Sequence, residues 1–200
     1  MNNDINTSIF WNDKYLNREH AWDIGCVTPL FIEKEKTFKK KSNILVPGCG
    51  LGHDALYFAK KNHIVDALDF SEYAIKFILK TSKENKIKIN PIKSDYFNFK
   101  NEHYLKYDYI IEYTFFCAIE RSKRTLYAEK CYKLLKDGGV LKGIFLPLNK
   151  ESSNNPPYQV TMNDIKRTFS KLFNIIKIET NINSIPQRLG NEVYIEMVKK

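Results

Sequence analysis

The stretch "PGCGLGHDA" spaces Gly48, Gly50 and Gly52 two residues apart, between an apolar run and a helical pattern. Glycines at such a turn let the backbone approach a ligand closely, and the helix that opens after it presents unpaired N–H groups. The third glycine of the dinucleotide fingerprint G-x-G-x-x-G would fall at His53, and the Gly-Lys-Ser/Thr of a phosphate-binding loop is absent from the sequence. A ligand without phosphates is therefore implied. S-adenosylmethionine meets that condition, and G-x-G-x-G is the loop that usually lies against its methionine portion.

Two acids stand in register with this loop. Asp69 ends a second apolar run, 17 residues beyond Gly52, where a carboxylate can accept both ribose hydroxyls. Asp95, followed by Tyr96, ends a third run, where such cofactors place the adenine. Asp54, in the turn into the helix, and Phe70 and Ser71, after Asp69, complete this cofactor-side set. Asp69 could instead serve as a helix N-terminal acid beside Ser71; its register with the loop and Asp95 favours the ligand role.

"NNPPY", residues 154–158, raises a different chemistry. An Asn-Pro-Pro-Tyr tetrapeptide marks enzymes that methylate amino nitrogens, where its oxygens accept hydrogen bonds from the –NH2. In those enzymes it ends the fourth strand, a position held here by "EYTFFCAI". A permuted arrangement would place it upstream of the glycine loop, and it lies downstream. Base methylation by this motif is rejected on position.

The elements that must hold these residues alternate. "SNILVPGCG", "HIVDALDFS", "KIKINPIKSDYF" (weakened by Pro91), "YDYIIEYTFFCAI" and "VLKGIFLPL" read as strands. "LGHDALYFAKKN" reads as a helix, as does "SEYAIKFILKTSKEN", with Ser71 as N-cap and Glu72 in its first turn. "RSKRTLYAEKCYKLLKDGG" reads as a third helix, closed by Gly138 and Gly139. After a fourth helix, "TMNDIKRTFSKLF", come two strands, "NIIKIET" and "EVYIEMVKK", with no helix between them. The expected fold is α/β: a mostly parallel, doubly wound sheet with an antiparallel C-terminal hairpin, in one domain over 1–200.

Composition excludes several classes. No apolar run approaches the roughly 20 residues that span a bilayer, and the N-terminus lacks the basic and apolar regions of a secretory signal. Cys26, Cys49, Cys117 and Cys131 show no C-x-x-C spacing, so reduced thiols in the cytoplasm are expected. His20, His53, His63 and His103 are dispersed, and no metal site is expected. The net charge of +9 suggests nucleic acid. Lysine is abundant throughout, however, and the one dense run, "KEKTFKKK", precedes a strand as a linker would; a solvated basic surface and no nucleic-acid partner are expected.

Six ordered segments resemble the thiopurine S-methyltransferase family: "FWNDKYLNREHAWDIGCVTPL", "LVPGCGLGHDA", "LDFSEYAI", "EYTFFCAIE", "LPLNKESSNNPPYQV" and "SIPQRLGNE". The closer likeness is to the plant-type halide and thiol methyltransferases, from about Trp11 to the C-terminus. The resemblance implies a class I, Rossmann-like S-adenosylmethionine-dependent methyltransferase core over 43–200, with residues 1–40 closing over the cofactor. It implies that Trp11 and Trp22 pack on the cofactor and that Asp69 holds the ribose; the two indoles could otherwise staple the N-terminus to the sheet. It sets "NPPY" against the family's Gly-Gly-Pro-Pro-Tyr loop near the acceptor, with Asn154 and Asn155 in place of two glycines.

The acceptor side is expected to carry Tyr113, Phe115, Phe116, Phe145, Tyr158 and Arg188. Aromatic walls stabilise a sulfonium by about 0.5–2 kcal/mol each and exclude water from an attacking anion. Phe115 and Phe116 are equally readable as core, and Arg188 as a surface turn cation. Glu112 contacts either the cofactor's amino group or a loop amide. His53 is a base or a packing residue beside the glycine loop. The implied reaction is methyl transfer to a small soft nucleophile, a thiol or a halide or thiocyanate. Thiopurines, selenium or tellurium oxyanions, RNA, and cofactor binding without catalysis are the alternatives.

Overall fold

The computed structural model describes residues 4–148 and 155–200. The chain divides into two compact units, Met1–Phe99 and Lys100–Lys200.

The first unit opens with two short helices, α1 (Ser8–Leu16) and α2 (Pro29–Lys34). Then follow β1 (Asn43–Pro47), α3 (His53–Lys60), β2 (Ile64–Asp69), α4 (Glu72–Glu84) and β3 (Asn90–Lys93). β1 and β3 both pair with β2 in parallel. Ser71 caps α4 as its type predicts, accepting from Ala74 N. Pro91 is accommodated because β3 is an edge strand, paired on one side only, where a missing N–H costs no ladder bond. Ile44, Leu45, Ala67, Leu68, Phe31 and Phe58 form the core of this unit.

The second unit contains β4 (Tyr107–Tyr113), α5 (Arg124–Leu134), β5 (Leu135–Phe145), α6 (Met162–Phe169), β6 (Phe173–Glu179) and β7 (Val193–Lys199). β4 pairs with β5 in parallel. β7 lies between β5 and β6 and runs antiparallel to both, so the last two strands do form an antiparallel pair. α6 is fixed by a capping box, with Thr161 and Asp164 each bonding the other's backbone N–H.

The glycine pair Gly138–Gly139 is a correction. The expected helix cap falls inside β5, because α5 ends at Leu134 and Leu135 is already extended. Leu135 faces Tyr107 and Val140 faces Tyr109, so the residues between bulge from the ladder, and Gly138 supplies the positive φ (+70°) this requires. No helix among the described residues is long and apolar enough to cross a membrane.

Candidate active site

In the first unit, the loop after β1 turns on three glycines with positive φ: Gly48 (57°), Gly50 (55°) and Gly52 (77°). Gly52 is the N-cap of α3 and provides no side chain to cap the helix N–H groups. Asp69, at the carboxyl end of β2 and 9% exposed, turns its Oδ2 to Gly50 N at 2.9 Å and its Oδ1 to Ser71 N at 2.8 Å. Desolvation pushes the Asp69 carboxyl upward, opposed by backbone bonds from Ser71, Gly50 and Phe70. The expected loop and acid are thus physically one assembly.

An aromatic cluster from the N-terminal segment accompanies it. Trp11 and Trp22 meet edge to face at 5.2 Å, Trp22 lies against Tyr15 at 5.4 Å, and Tyr15 stacks on Tyr73 of α4 at 5.2 Å. Trp22 Nε1 donates to the Tyr15 hydroxyl at 3.4 Å. Tyr15 is 4% exposed; burial and the nearby Asp69 hold its phenol well above the usual range. A Cβ at Gly50 would meet that hydroxyl at 3.0 Å. Helix α1 is tied to α4 through Asn12, whose Oδ1 accepts from Ser71 Oγ at 2.6 Å and Tyr73 N at 3.3 Å. Sequence reasoning found Trp11 and Trp22 but not Asn12, Tyr15 or Tyr73. Tyr15 stands four residues after Trp11, on the same helix face, and that spacing was the available signal.

Asp54 and Asp95 turn to protein partners. Asp54 accepts from Thr28 N at 2.8 Å and Thr28 Oγ1 at 2.9 Å, fastening the start of α2 to the first turn of α3. Desolvation pushes its carboxyl up to about 6 against those bonds. Asp95 accepts from Phe97 N and Asn98 Nδ2, shaping its own turn, and Tyr96 is buried against Phe97. Phe70 is half-buried beside Asp69. His53 Nε2 sits 3.1 Å from Asp23 Oδ1, which raises the imidazole pKa.

In the second unit, Glu112 serves loop amides. Its Oε1 accepts from Phe115 N (2.9 Å) and Phe116 N (2.8 Å), and its Oε2 from the Tyr127 hydroxyl. Fully buried, its carboxyl is pushed up to about 7 by desolvation, against those hydrogen bonds. Of the two expectations for Glu112, this geometry corresponds to the loop amide. Thr114, between Glu112 and the two amides it binds, has φ 67°, a left-handed conformation unusual for a β-branched residue.

The acceptor-side candidates separate into two groups. Phe116 and Phe145, each 1% exposed, pack with Tyr127 and Phe169 in an aromatic core, so the structure gives them a core role in place of the expected pocket wall. Phe115 is half-buried against Tyr127. Tyr113 and Arg188 come together: Arg188 donates to the Tyr113 hydroxyl and its guanidinium lies 5.0 Å over the ring. Tyr113 in turn donates to Glu192 Oε1 at 3.0 Å. Tyr158, the end of "NPPY", is half-buried, and its N–H donates to Cys117 O at 2.7 Å, bringing the tetrapeptide to the loop after β4. Asn154 lies outside the described residues. The Cys117 thiol is pushed up to about 12 by burial and by Glu112. Glu192 lies in the "SIPQRLGNE" segment, where no local pattern sets it apart.

The first unit fits S-adenosylmethionine on three counts. A buried carboxylate beside a glycine turn suits ribose hydroxyls, indole and phenol rings suit a sulfonium, and the loop brings no lysine or arginine to a phosphate. Among the described residues, no group of three or more His, Cys, Asp or Glu side chains could hold a metal ion.

Two solved structures similar to this chain are methyltransferases. A Burkholderia thailandensis 1,6-didemethyltoxoflavin-N1-methyltransferase, with 1,6-didemethyltoxoflavin and S-adenosylhomocysteine bound, aligns with a TM-score of 0.80 at 13% identity, covering 96% of this chain and 87% of its own. An S-adenosylmethionine-dependent methyltransferase from Methanosarcina mazei gives 0.71 at 15% identity, covering 87% and 98%. The parallel strands of each unit, with the antiparallel C-terminal strands of the second, are those of the class I methyltransferase fold, and the chain is an S-adenosylmethionine-dependent methyltransferase. It belongs to the thiopurine S-methyltransferase family, which it matches over residues 6–197. Relatives include a probable thiol methyltransferase 2 of Arabidopsis thaliana, 33% identical over 94% of this chain and 83% of the relative. Thiocyanate methyltransferase 1 of the same plant is 34% identical over 91% and 81%. A thiopurine S-methyltransferase of Photobacterium profundum is 21% identical over 80% and 81%.

Proposed function

We propose that this enzyme methylates a small soft nucleophile in the cytoplasm, a thiol such as methanethiol or hydrogen sulfide foremost, with halide or thiocyanate as a second acceptor. The observation that carries this reading is the 33–34% identity to plant thiol and thiocyanate methyltransferases over 94% and 91% of the chain. A thiopurine acceptor is the alternative suggested by the bacterial relatives, which are more distant at 20–24% identity.

S-adenosylmethionine supplies an electrophilic methyl group on a sulfonium leaving group. We assign its ribose to Asp69, whose carboxylate is oriented by the amides of Gly50, Phe70 and Ser71. The glycine turn at 48–52 takes the methionine portion, Asp95 and Tyr96 shape the adenine side, and Trp11, Tyr15 and Trp22 shield the sulfonium from water. Positioning supplies much of the rate in such an in-line displacement, up to about 7–11 kcal/mol in ideal intramolecular cases. Tyr113, Phe115, Tyr158 and Arg188 are the acceptor-side residues.

Steady-state assays of the pure protein with methanethiol, sulfide, iodide, thiocyanate, 6-mercaptopurine and tellurite test the reading. The largest kcat/KM is expected with a thiol. Donor binding without turnover of any acceptor would overturn it in favour of a non-catalytic binder, and salt-sensitive methylation of RNA would overturn it in favour of a nucleic-acid substrate.

A further inference from the structure

Residues 184–192 carry a buried hydrogen-bond path that begins at the phenol ending β4. Tyr113 donates to Glu192 Oε1 at 3.0 Å, and Ser184 Oγ donates to Glu192 Oε2 at 2.5 Å. Glu192 is 3% exposed, whereas Ser184 is half-buried and follows the exposed Asn183. Arg188 donates to the same phenol oxygen and lies 3.8 Å from Glu192 Oε1. A buried ion pair is a weak source of stability, since well-packed apolar side chains commonly do as well. A hydroxyl–carboxylate–hydroxyl path from a half-buried phenol to the surface suits the movement of a proton.

We propose that Tyr113 is the catalytic acid–base group for acceptors that bring a proton, and that Glu192 and Ser184 are its proton outlet; this rests on the small-nucleophile reading above. A thiol must lose its proton as its sulfur forms the new S–C bond, whereas iodide and thiocyanate bring none. The thiol S–H bond breaks, its electron pair stays on sulfur and goes into the new S–C bond, and the proton bonds to the Tyr113 oxygen. The methyl group's bond to the donor sulfonium would break with its pair left on the donor sulfur. Tyr113's own proton moves along its hydrogen bond to Glu192 Oε1, leaving a neutral phenol and a neutral carboxylic acid. Release of that proton to water past Ser184 restores the carboxylate. Arg188 faces the phenol oxygen while charge develops on the sulfur. Tyr113 never needs to become a free phenolate, which burial and Glu192 disfavour by raising its pKa. The neighbouring Cys117 thiol, at about 12, stays protonated and offers no competing base.

The test compares Tyr113→Phe and Glu192→Gln with the wild-type chain on two acceptors, methanethiol and iodide. Circular dichroism and calorimetric donor binding establish that each variant is folded. Removing a positioned acid–base group is expected to lower kcat/KM for methanethiol by about 10²-fold in both variants. Iodide turnover is expected to fall only a few-fold in Tyr113→Phe, which also removes an acceptor-side hydroxyl and the partner of Arg188, and to rise in Glu192→Gln because Arg188 loses its counter-charge. Turnover of methanethiol by the wild type should slow in D2O, and turnover of iodide should not. If Tyr113→Phe fails to fold, Glu192→Gln and the isotope comparison decide. Equal losses on both acceptors, or equal isotope effects, would overturn the relay and leave the methyltransferase reading standing. A wild-type chain that turns over neither acceptor would overturn that reading itself, and the relay with it.

Discussion

The Asp69 carboxylate and the Gly50 amide are joined at 2.9 Å, so the acid that ends β2 also fixes the glycine turn that follows β1. Its other oxygen holds Ser71 N at the entrance to α4. Asp69→Asn keeps the shape but removes the charge, and turns an –NH2 toward one of two backbone donors. Hydrogen bonds to charged groups contribute about 1.5–3 kcal/mol each. Calorimetry should therefore show S-adenosylmethionine binding weakened by about 10–100-fold, together with a lower melting temperature for the ligand-free protein. Unchanged uptake would detach Asp69 from the cofactor.

Asn12 and Ser71 make the second such tie, at 2.6 Å across 59 residues of chain. Asn12→Ala removes an acceptor that serves both Ser71 Oγ and Tyr73 N, loosening α1 and its aromatic cluster from α4. The expected result is faster limited proteolysis before Thr28 and donor binding weakened by about 5–10-fold, as the loss of about 1–1.5 kcal/mol implies. Ser71 would keep its bond to Ala74 N, so the helix content should not change.

Glu112 makes stability depend on pH. Its folded pKa, about 7, lies above its ordinary value of 4.5 because it is buried. Between those values the folded protein binds more protons at this site than the unfolded chain, so its contribution to stability is full below 4.5 and is lost as pH rises through 7. Asp54, pushed up to about 6, acts with the same sign. Glu112→Gln keeps an acceptor for the Phe115 and Phe116 amides without the titration. Urea midpoints measured from pH 5 to pH 8 should fall less steeply for the variant than for the wild type.

The glycine turn and its carboxylate were legible where spacing along the chain determines geometry. Gly48, Gly50, Gly52 and Asp69 stand at the ends of adjacent parallel strands, whose alternation with helices the apolar pattern reveals. Ser71 was legible because an N-cap is a local event. Gly138 was misread because a glycine after a helical pattern signals a cap and a bulge equally well. Asn12, which would read as a poor helix former, owes its role to Ser71 and Tyr73, which only the folded chain brings near. Glu192 meets Tyr113 from 79 residues away, and no local pattern encodes that meeting. Phe116 and Phe145 could not be divided from Tyr113 by type, since an aromatic residue near a strand end serves a core or a pocket alike.

Gly52 and Ile78 provide a test of packing at the glycine turn. A Cβ at Gly52 would come within 2.6 Å of Ile78 Cγ1 and 2.8 Å of its Cδ1, and the backbone there has φ 77°. Gly52→Ala should thus incur both an overpacking cost of about 1–3 kcal/mol and a left-handed strain of about 1–2 kcal/mol. Ile78 is fully buried on α4, so it has little room to withdraw. Pairing the change with Ile78→Ala removes the clashing Cγ1 and Cδ1 and should recover the steric part but not the strain. In a double-mutant cycle read by urea denaturation, the pair should be more stable than the sum of the single losses predicts. Strict additivity would mean that the turn and α4 are not in contact through this side chain. Donor binding should stay weak in the pair, because the left-handed geometry at residue 52 sets where the α3 N–H groups point.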